Sequence, residues 1–444
     1  KYAKLSSTRQ GKDWSAMTAV THKELLPGVR LTAIRTSKFK SCYMGMTLLA
    51  PMDGQTAAAN ALIPMVLRRG TRKHPDLEAL SAALDELYGG FIEPVVRKKG
   101  ETQCIGFVGS FLDDSYTPDR SRILEQAAAL MGDLLLRPAM ESGMFCTGYV
   151  EGERTNLIDR IRAQINDKRQ YSILRISQLM CAEEPYGIDR YGDEKTAAAV
   201  TVSKLWERYH ALLASAPLEL YYCGSASADR VEKAFAAALE GLPRAVRRDL
   251  PGCLVRPGTE GSAPRVFVDK MDVTQGKLAM GFRTGGVNAA HGALPALMVF
   301  NAVYGGTTTS KLFMNVREKL SLCYFASSML EKQKGIMLVS SGIEFNRFEQ
   351  AKGEIMAQLY ACRRGEIEPA ELEGARRSVV SSLRTAMDAQ GRLEEYWMGQ
   401  AAAGLNERPE ELAGRVSAVT KEQVVEIANG VELDAVYFLN GKEA

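Results

Sequence analysis

The two halves of this 444-residue chain close on the same pattern. AVTVSKLWERYHALLASAPLELYYCG (Ala199–Gly224) and AVTKEQVVEIANGVELDAVYFLNG (Ala418–Gly441) share an Ala-Val-Thr start, an amphipathic stretch, a short polar turn and an apolar, tyrosine-bearing run that stops at glycine. Each threonine is placed to cap a helix, and the aromatic-rich final run favours a strand. The likeness extends upstream. Each half opens with paired alternating runs (VRLTAIRT then CYMGMTLLA; PRVFVDKM then GKLAMGFRT), followed by an Ala/Leu-rich helical pattern (TAAANALIPMVL; HGALPALMVFNAV). One unit built twice is the simplest cause of such self-similarity. Strands at hairpin-like spacing beside long helices predict an α+β fold, with two homologous domains that each cover a mostly antiparallel sheet with helices. The expected domains are 1–245, which keeps the helix pattern ADRVEKAFAAALEGL, and 264–444. The proline- and glycine-rich RRDLPGCLVRPGTEGSAP (Arg247–Pro264) lacks periodicity and predicts a linker over 246–263.

In the second half, YGGTTTSKLFMNVREKLSLCY (Tyr304–Tyr324) runs two glycines, a hydroxyl cluster, an apolar-basic helical pattern and a closing tyrosine together without a gap. Guanidinium and phenol, as on Arg317 and Tyr324, are both hydrogen-bond donors. Taken alone, an arginine and a tyrosine seven residues apart are better read as a helix-face Arg317 paired with Glu318 or solvent and a Tyr324 in ordinary strand packing. The whole string, however, resembles the peptide-gripping block of pitrilysin-type (M16, subfamily M16B) zinc peptidases. That resemblance implies that Arg317 and Tyr324 reach the substrate at the scissile bond across a chamber. It also implies that Gly305, Gly306, Thr307 and Ser310 contribute to substrate binding.

The same family places a His-x-x-Glu-His zinc motif on the first long helix of its first domain. QTAAANALIPMVLRRGTRKHPD (Gln55–Asp76) keeps the helix pattern, the Arg-Gly-Thr exit and the following proline. The resemblance puts Asn60, Ile63 and Pro64 in the places of the first histidine, the glutamate base and the second histidine. Isoleucine cannot accept a proton, proline offers no ligand atom, and a lone asparagine is a poor zinc donor. In FCTGYVEGERTNLIDRIRAQINDKR (Phe145–Arg169), which resembles the helix of the third ligand, Arg160 occupies the ligand place, while Glu153 keeps that of a supporting glutamate. No zinc and no other cofactor is therefore expected in this chain. The histidines agree independently of any resemblance. His22, His74, His210 and His291 are the only four, and no two are near enough in sequence to share a helix face.

Composition narrows the remaining classes. Net charge is +3 with the signs interspersed, which leaves no basic footprint for nucleic acid or an anionic membrane. No apolar run reaches the roughly eighteen residues of a span, and no charged-then-apolar leader pattern is present. The eight scattered cysteines lack any Cys-x-x-Cys, as reduced thiols of a cytoplasmic protein would. YGGTTTSK lacks the phosphate-loop spacing, and no nucleophile elbow or dinucleotide fingerprint stands in its required context. Pro94 within Phe91–Val96 points to a blunted sheet edge rather than one open to extended substrate. Met356, Met387 and Met398 read as core filler. With half of the catalytic equipment kept and half lost, the resemblance implies a division of labour. This chain would be the inactive-motif, Arg/Tyr subunit of a heterodimeric M16B peptidase acting on extended peptide, and a His-x-x-Glu-His-bearing partner would carry the zinc. Self-pairing is the alternative when that partner is absent. The rival reading is an M16-fold scaffold or peptide-binding protein without a part in hydrolysis.

Overall fold

In a computed structural model, residues 19–119, 121–244, 249–254, 263–321 and 323–442 are described. The first half supplies strands β1 (Ala19–Leu26), β2 (Val29–Arg35), β3 (Ser41–Pro51), β4 (Phe91–Lys99), β5 (Thr102–Leu112), a two-residue pair β6 (Met140–Glu141) and β7 (Met144–Phe145), and β8 (Leu218–Gly224). The second supplies β9 (Arg265–Met271), β10 (Gly276–Arg283), β11 (Cys323–Glu331), β12 (Ile336–Ile343) and β13 (Glu432–Gly441). The first sheet is ordered β1, β2, β8, β3, β5, β4; the second, read from its far edge, is β9, β13, β10, β12, β11. Apart from the extra β1 the two orders coincide element by element. The directions coincide too: β2 runs parallel to β8 and β9 parallel to β13, while the other equivalent pairs are antiparallel. The repeat read in the sequence is thus a repeat of topology. Of the expected linker over 246–263, only 249–254 and 263 fall within the described residues.

Helices α1 (Ala57–Leu67), α2 (Leu77–Glu86), α3 (Ile123–Leu136), α4 (Thr147–Ala163), α5 (Lys168–Met180), α6 (Glu194–Ala198), α7 (Val202–Ser215) and α8 (Ala228–Ala238) belong to the first half. The second half has α9 (Leu294–Asn301), α10 (Phe348–Arg363), α11 (Pro369–Ala386), α12 (Gln390–Ala403), α13 (Pro409–Ser417) and α14 (Lys421–Gly430). The predicted threonine caps are present. Thr201 accepts from Lys204 N at the start of α7, and Thr420 closes a capping box with Gln423 at the start of α14. One face of each sheet packs under its own helices to form a large apolar core.

The other face of each sheet is covered by a helix from the opposite half. Ile176 and Met180 of α5 pack on Ala279, Leu338, Ala435 and Tyr437 of the second sheet. Leu393 and Trp397 of α12 pack on Ile34, Tyr221 and Cys223 of the first, while Met398 meets Leu49 and Cys104. Met387 and Met398 are each 4% exposed and Met356 is partly buried against the core, so the methionines fill the interior. The crossing is tight. A Cβ at Gly281 would lie 2.4 Å from Met180 Sδ, so a larger residue there would make that thioether shift. Each large apolar side chain buried here contributes roughly 1.5–3 kcal/mol, which ties the halves into one body.

The β4–β5 and β11–β12 hairpin tips meet at the seam. Gly100 takes φ +57°, and a Cβ there would stand 3.1 Å from Gln333 Cβ. Beside them Lys334 Nζ, fully buried, lies 2.5 Å from both Glu101 Oε1 and Glu184 Oε2. Arg283 continues the chain to Glu184 Oε1 (2.6 Å) and Asp434 Oδ2 (2.7 Å), and Arg265 reaches Asp434 Oδ1 (2.6 Å). Burial works against ionisation of Glu184, but the hydrogen bonds from Arg283 and Lys334 hold its carboxyl below the ordinary range.

Candidate functional site

The Tyr304–Tyr324 block departs from the regular helix its pattern predicts. Ala302–Gly306 and Leu312–Lys319 are both π-helical, with Leu320 N donating back five residues to Asn315 O (3.2 Å). Each π turn inserts a residue and widens the helix, a rare distortion concentrated at functional sites. Its physical cause lies in the flanks. The Gly-Gly turn and the exit at Ser321, held at φ +50°, fix both ends of the segment, so the surplus residue is absorbed inside it. A non-glycine residue in this left-handed region costs about 1–2 kcal/mol.

Arg317 sits on the last turn of this π segment with its guanidinium 41% exposed, 4.6 Å over the Phe313 ring and 3.5 Å from Glu318 Oε1. Tyr324 follows on β11, the edge strand of the second sheet, where Cys323 pairs with Ile343 and Phe325 with Gly342. That register leaves Tyr324 as the bulged residue, turned outward and 65% exposed. Next to it, burial pushes the Cys323 thiol up, an effect moderated by Ser341 and by the Arg317 charge. An arginine missed in the sequence steadies this strand. Arg169 of α5, from the first half, stacks 4.1 Å over the Phe325 ring and donates to Ser327 Oγ (3.3 Å). No local pattern marks this contact, because 158 residues separate its partners.

The turn before the helix divides into inner and outer parts. Gly305 is packed so closely that a Cβ would lie 2.7 Å from Leu312 Cδ1 and 2.8 Å from Ser328 N. Ser310 is 1% exposed and donates its hydroxyl to Thr307 O (2.6 Å). Gly305 and Ser310 thus hold the turn from within. Gly306 and the half-buried Thr307 remain at the surface.

Helix α4, which carries Glu153 and Arg160, packs on α1, which carries Asn60, Ile63 and Pro64. Asn60 is fully buried, and its amide is held at both ends. Its Nδ2 donates to Gln103 Oε1 (2.8 Å), and its Oδ1 accepts from Arg208 Nε (2.6 Å). Ile63, 1% exposed, belongs to the apolar core, and Pro64 is buried within α1. Arg160 is exposed and faces the Tyr191 ring at 5.7 Å; Glu153 pairs with Arg69 (3.2 Å). Bound amide, aliphatic side chain, imide ring and cation form a donor set that does not fit zinc. Among the described residues no three His, Cys, Asp or Glu side chains converge into a metal-binding group. All eight cysteines are free, five of them with thiols pushed to about 11 or 12 by burial. Pro94 pairs opposite Phe107 on the edge strand β4, where a missing amide is tolerated. Among the described residues no helix is long and apolar enough to cross a membrane.

Residues 199–379 match the Peptidase M16 inactive domain. The chain is 34% identical over 416 residues to the probable inactive metalloprotease YmfF of Bacillus subtilis (strain 168), covering 94% of this chain and 96% of the relative. The chain belongs to the M16 peptidase family. Two solved structures carry the same fold. A conserved protein from Enterococcus faecalis V583 superposes with a TM-score of 0.87 at 26% identity, covering 96% of this chain and 99% of that one. A peptidase M16 inactive domain from Pseudomonas fluorescens gives 0.75 at 15% identity, covering 95% and 98%. As an M16 chain similar to a protein named inactive, it joins a metallopeptidase fold to residues that cannot form the metal site.

Proposed function

We propose that this chain is the zinc-free subunit of a two-subunit M16 peptidase and presents Arg317 and Tyr324 to the scissile carbonyl of an extended peptide. The observation that carries the reading is Tyr324 itself. A large aromatic residue bulged out of an edge strand and 65% exposed gives up the burial that a packing tyrosine would have. The exposed Arg317 guanidinium stands on the segment leading to it. Both groups donate, and the carbonyl oxygen they would hold gains charge as it is attacked, so their hydrogen bonds strengthen in the transition state. Zinc and the His-x-x-Glu-His motif are expected on the partner, and the peptide lies between the two subunits.

One observation favours the scaffold reading. Arg317 already has local company in Glu318 and Phe313, as a purely structural helix residue would. The contact is long and on the surface, where such pairs contribute about 0–1 kcal/mol. Arg317 can therefore leave it at small cost. The test mixes the chain with its zinc-bearing partner. Arg317→Ala and Tyr324→Phe are each expected to lower kcat about 100-fold while complex formation is unchanged. Wild-type turnover in both assembled variants would instead support the scaffold.

A further inference from the structure

Beside the seam lies an open cleft of about 490 Å³, the size of a small-ligand site, lined by the second half and by Lys99 of the first. Its walls come from the hairpin tips and from α9, α11, α12 and α13. Met298, Leu330 and Leu383 make much of the lining apolar. Three cations and one carboxylate face it: Lys99, Lys332, Arg392 and Glu395. The carboxylate is already engaged, since Glu395 pairs with Lys99 and with Arg97 (3.1 Å). Among the described residues neither Lys332 nor Arg392 has a carboxylate within ion-pair reach, so the cleft keeps two uncompensated positive groups. Burial, with Lys99 alongside, holds the Lys332 ammonium below the ordinary lysine range despite Glu331, as in a site lacking its counter-ion. A second orphan lies in the same wall. Asn301 carries a buried Oδ1 with no hydrogen-bond donor among the described residues. Leaving such an acceptor unmatched costs about 1–3 kcal/mol.

We infer that this cleft binds the carboxyl end of a short apolar peptide, with Lys332 and Arg392 on the carboxylate and Asn301 accepting from a peptide N–H. An apolar body suits the lining, an anion suits the two cations, and the orphan acceptor selects a ligand that also donates. A fatty acid shares the first two features and lacks the third. The site uses neither Arg317 nor Tyr324, although Gly306 and Thr307 of the Gly-Gly turn line it, so its test is made on the chain alone, where the proposed peptidase role plays no part.

The test needs only the full chain, without a partner. Calorimetric titration would compare N-acetyl-trileucine, its C-terminal amide and decanoate. The free acid is expected to bind about tenfold more tightly than the amide, the scale of one charge-assisted hydrogen bond. Lys332→Gln and Arg392→Gln are each expected to weaken it by about fivefold or more, with no change in melting temperature. Arg392 is exposed, so its variant keeps the test sound even if Lys332→Gln folds poorly. Equal affinity for acid and amide, no binding at all, or undiminished binding by both variants would overturn the inference. Binding of decanoate alone would overturn the assignment to peptide.

Discussion

Residue 60 stands where the resemblance to M16 zinc peptidases would call for a metal ligand. Asn60 lies in the core and joins Gln103 to Arg208, so it now works as a structural bridge. Asn60→Leu is expected to cost about 2 kcal/mol, because Gln103 Oε1 and the Arg208 guanidinium would lose a buried partner; urea denaturation measures it. Restoring the motif with Asn60→His, Ile63→Glu and Pro64→His together is expected to yield no stoichiometric zinc by elemental analysis after dialysis. Arg160 would still stand where the resemblance puts the third ligand, and two polar groups would enter apolar surroundings at positions 63 and 64. About one tightly held zinc per chain would refute that expectation. That these side chains do not suit zinc was legible in the sequence, because it follows from their chemistry alone. The bridge through Asn60 was not, since its partners stand 43 and 148 residues away.

At the level of elements, legibility follows the range of the forces. The threonine caps of α7 and α14 act across three residues and could be read directly. The π turns around the Gly-Gly pair could not, because they record how the chain is held at both ends rather than any local preference. The contact of α8 with α3 is likewise tertiary. Arg230 of α8 pairs with Glu125 of α3 (2.6 Å) and with Asp114, whose Oδ1 accepts from Ile123 N at the start of α3 (3.0 Å). Hydrogen bonds from Arg230, against a smaller effect of burial, depress the Glu125 pKa from 4.5 to about 2. A carboxyl whose pKa is lower in the folded state stabilises the fold above its unfolded value and loses that contribution as pH falls toward the folded value. Because the group is largely solvated, its contribution is discounted to about 1 kcal/mol. Arg230→Gln is therefore expected to lower stability by about 1 kcal/mol at pH 7, with the gap to wild type roughly halved by pH 3. A gap that stays constant across that window would assign the loss to packing.

At the scale of the whole molecule, the repeat foretold two like sheets but not that each half covers the other's open face. Ile173, Ile176 and Met180 form an apolar stripe on α5 that would suit either sheet, so the pattern alone could not assign it. Once the helices are exchanged, neither half can close its second core alone, and the ionic chain from Glu101 to Asp434 is buried between them. Lys334 is the member with most at stake, fully buried between Glu101 and Glu184. Lys334→Ala would leave Glu101 with no cation and Glu184 with only Arg283. Removing one partner from a buried pair costs about 3–5 kcal/mol, whereas removing both charges with shape kept is often close to neutral. Lys334→Ala is therefore expected to unfold the chain at clearly lower temperature and urea concentration. Lys334→Met combined with Glu101→Gln should recover much of the loss. If the double variant is no more stable than Lys334→Ala, the seam depends on the attraction between these charges, and the exchanged helices alone do not hold the halves together.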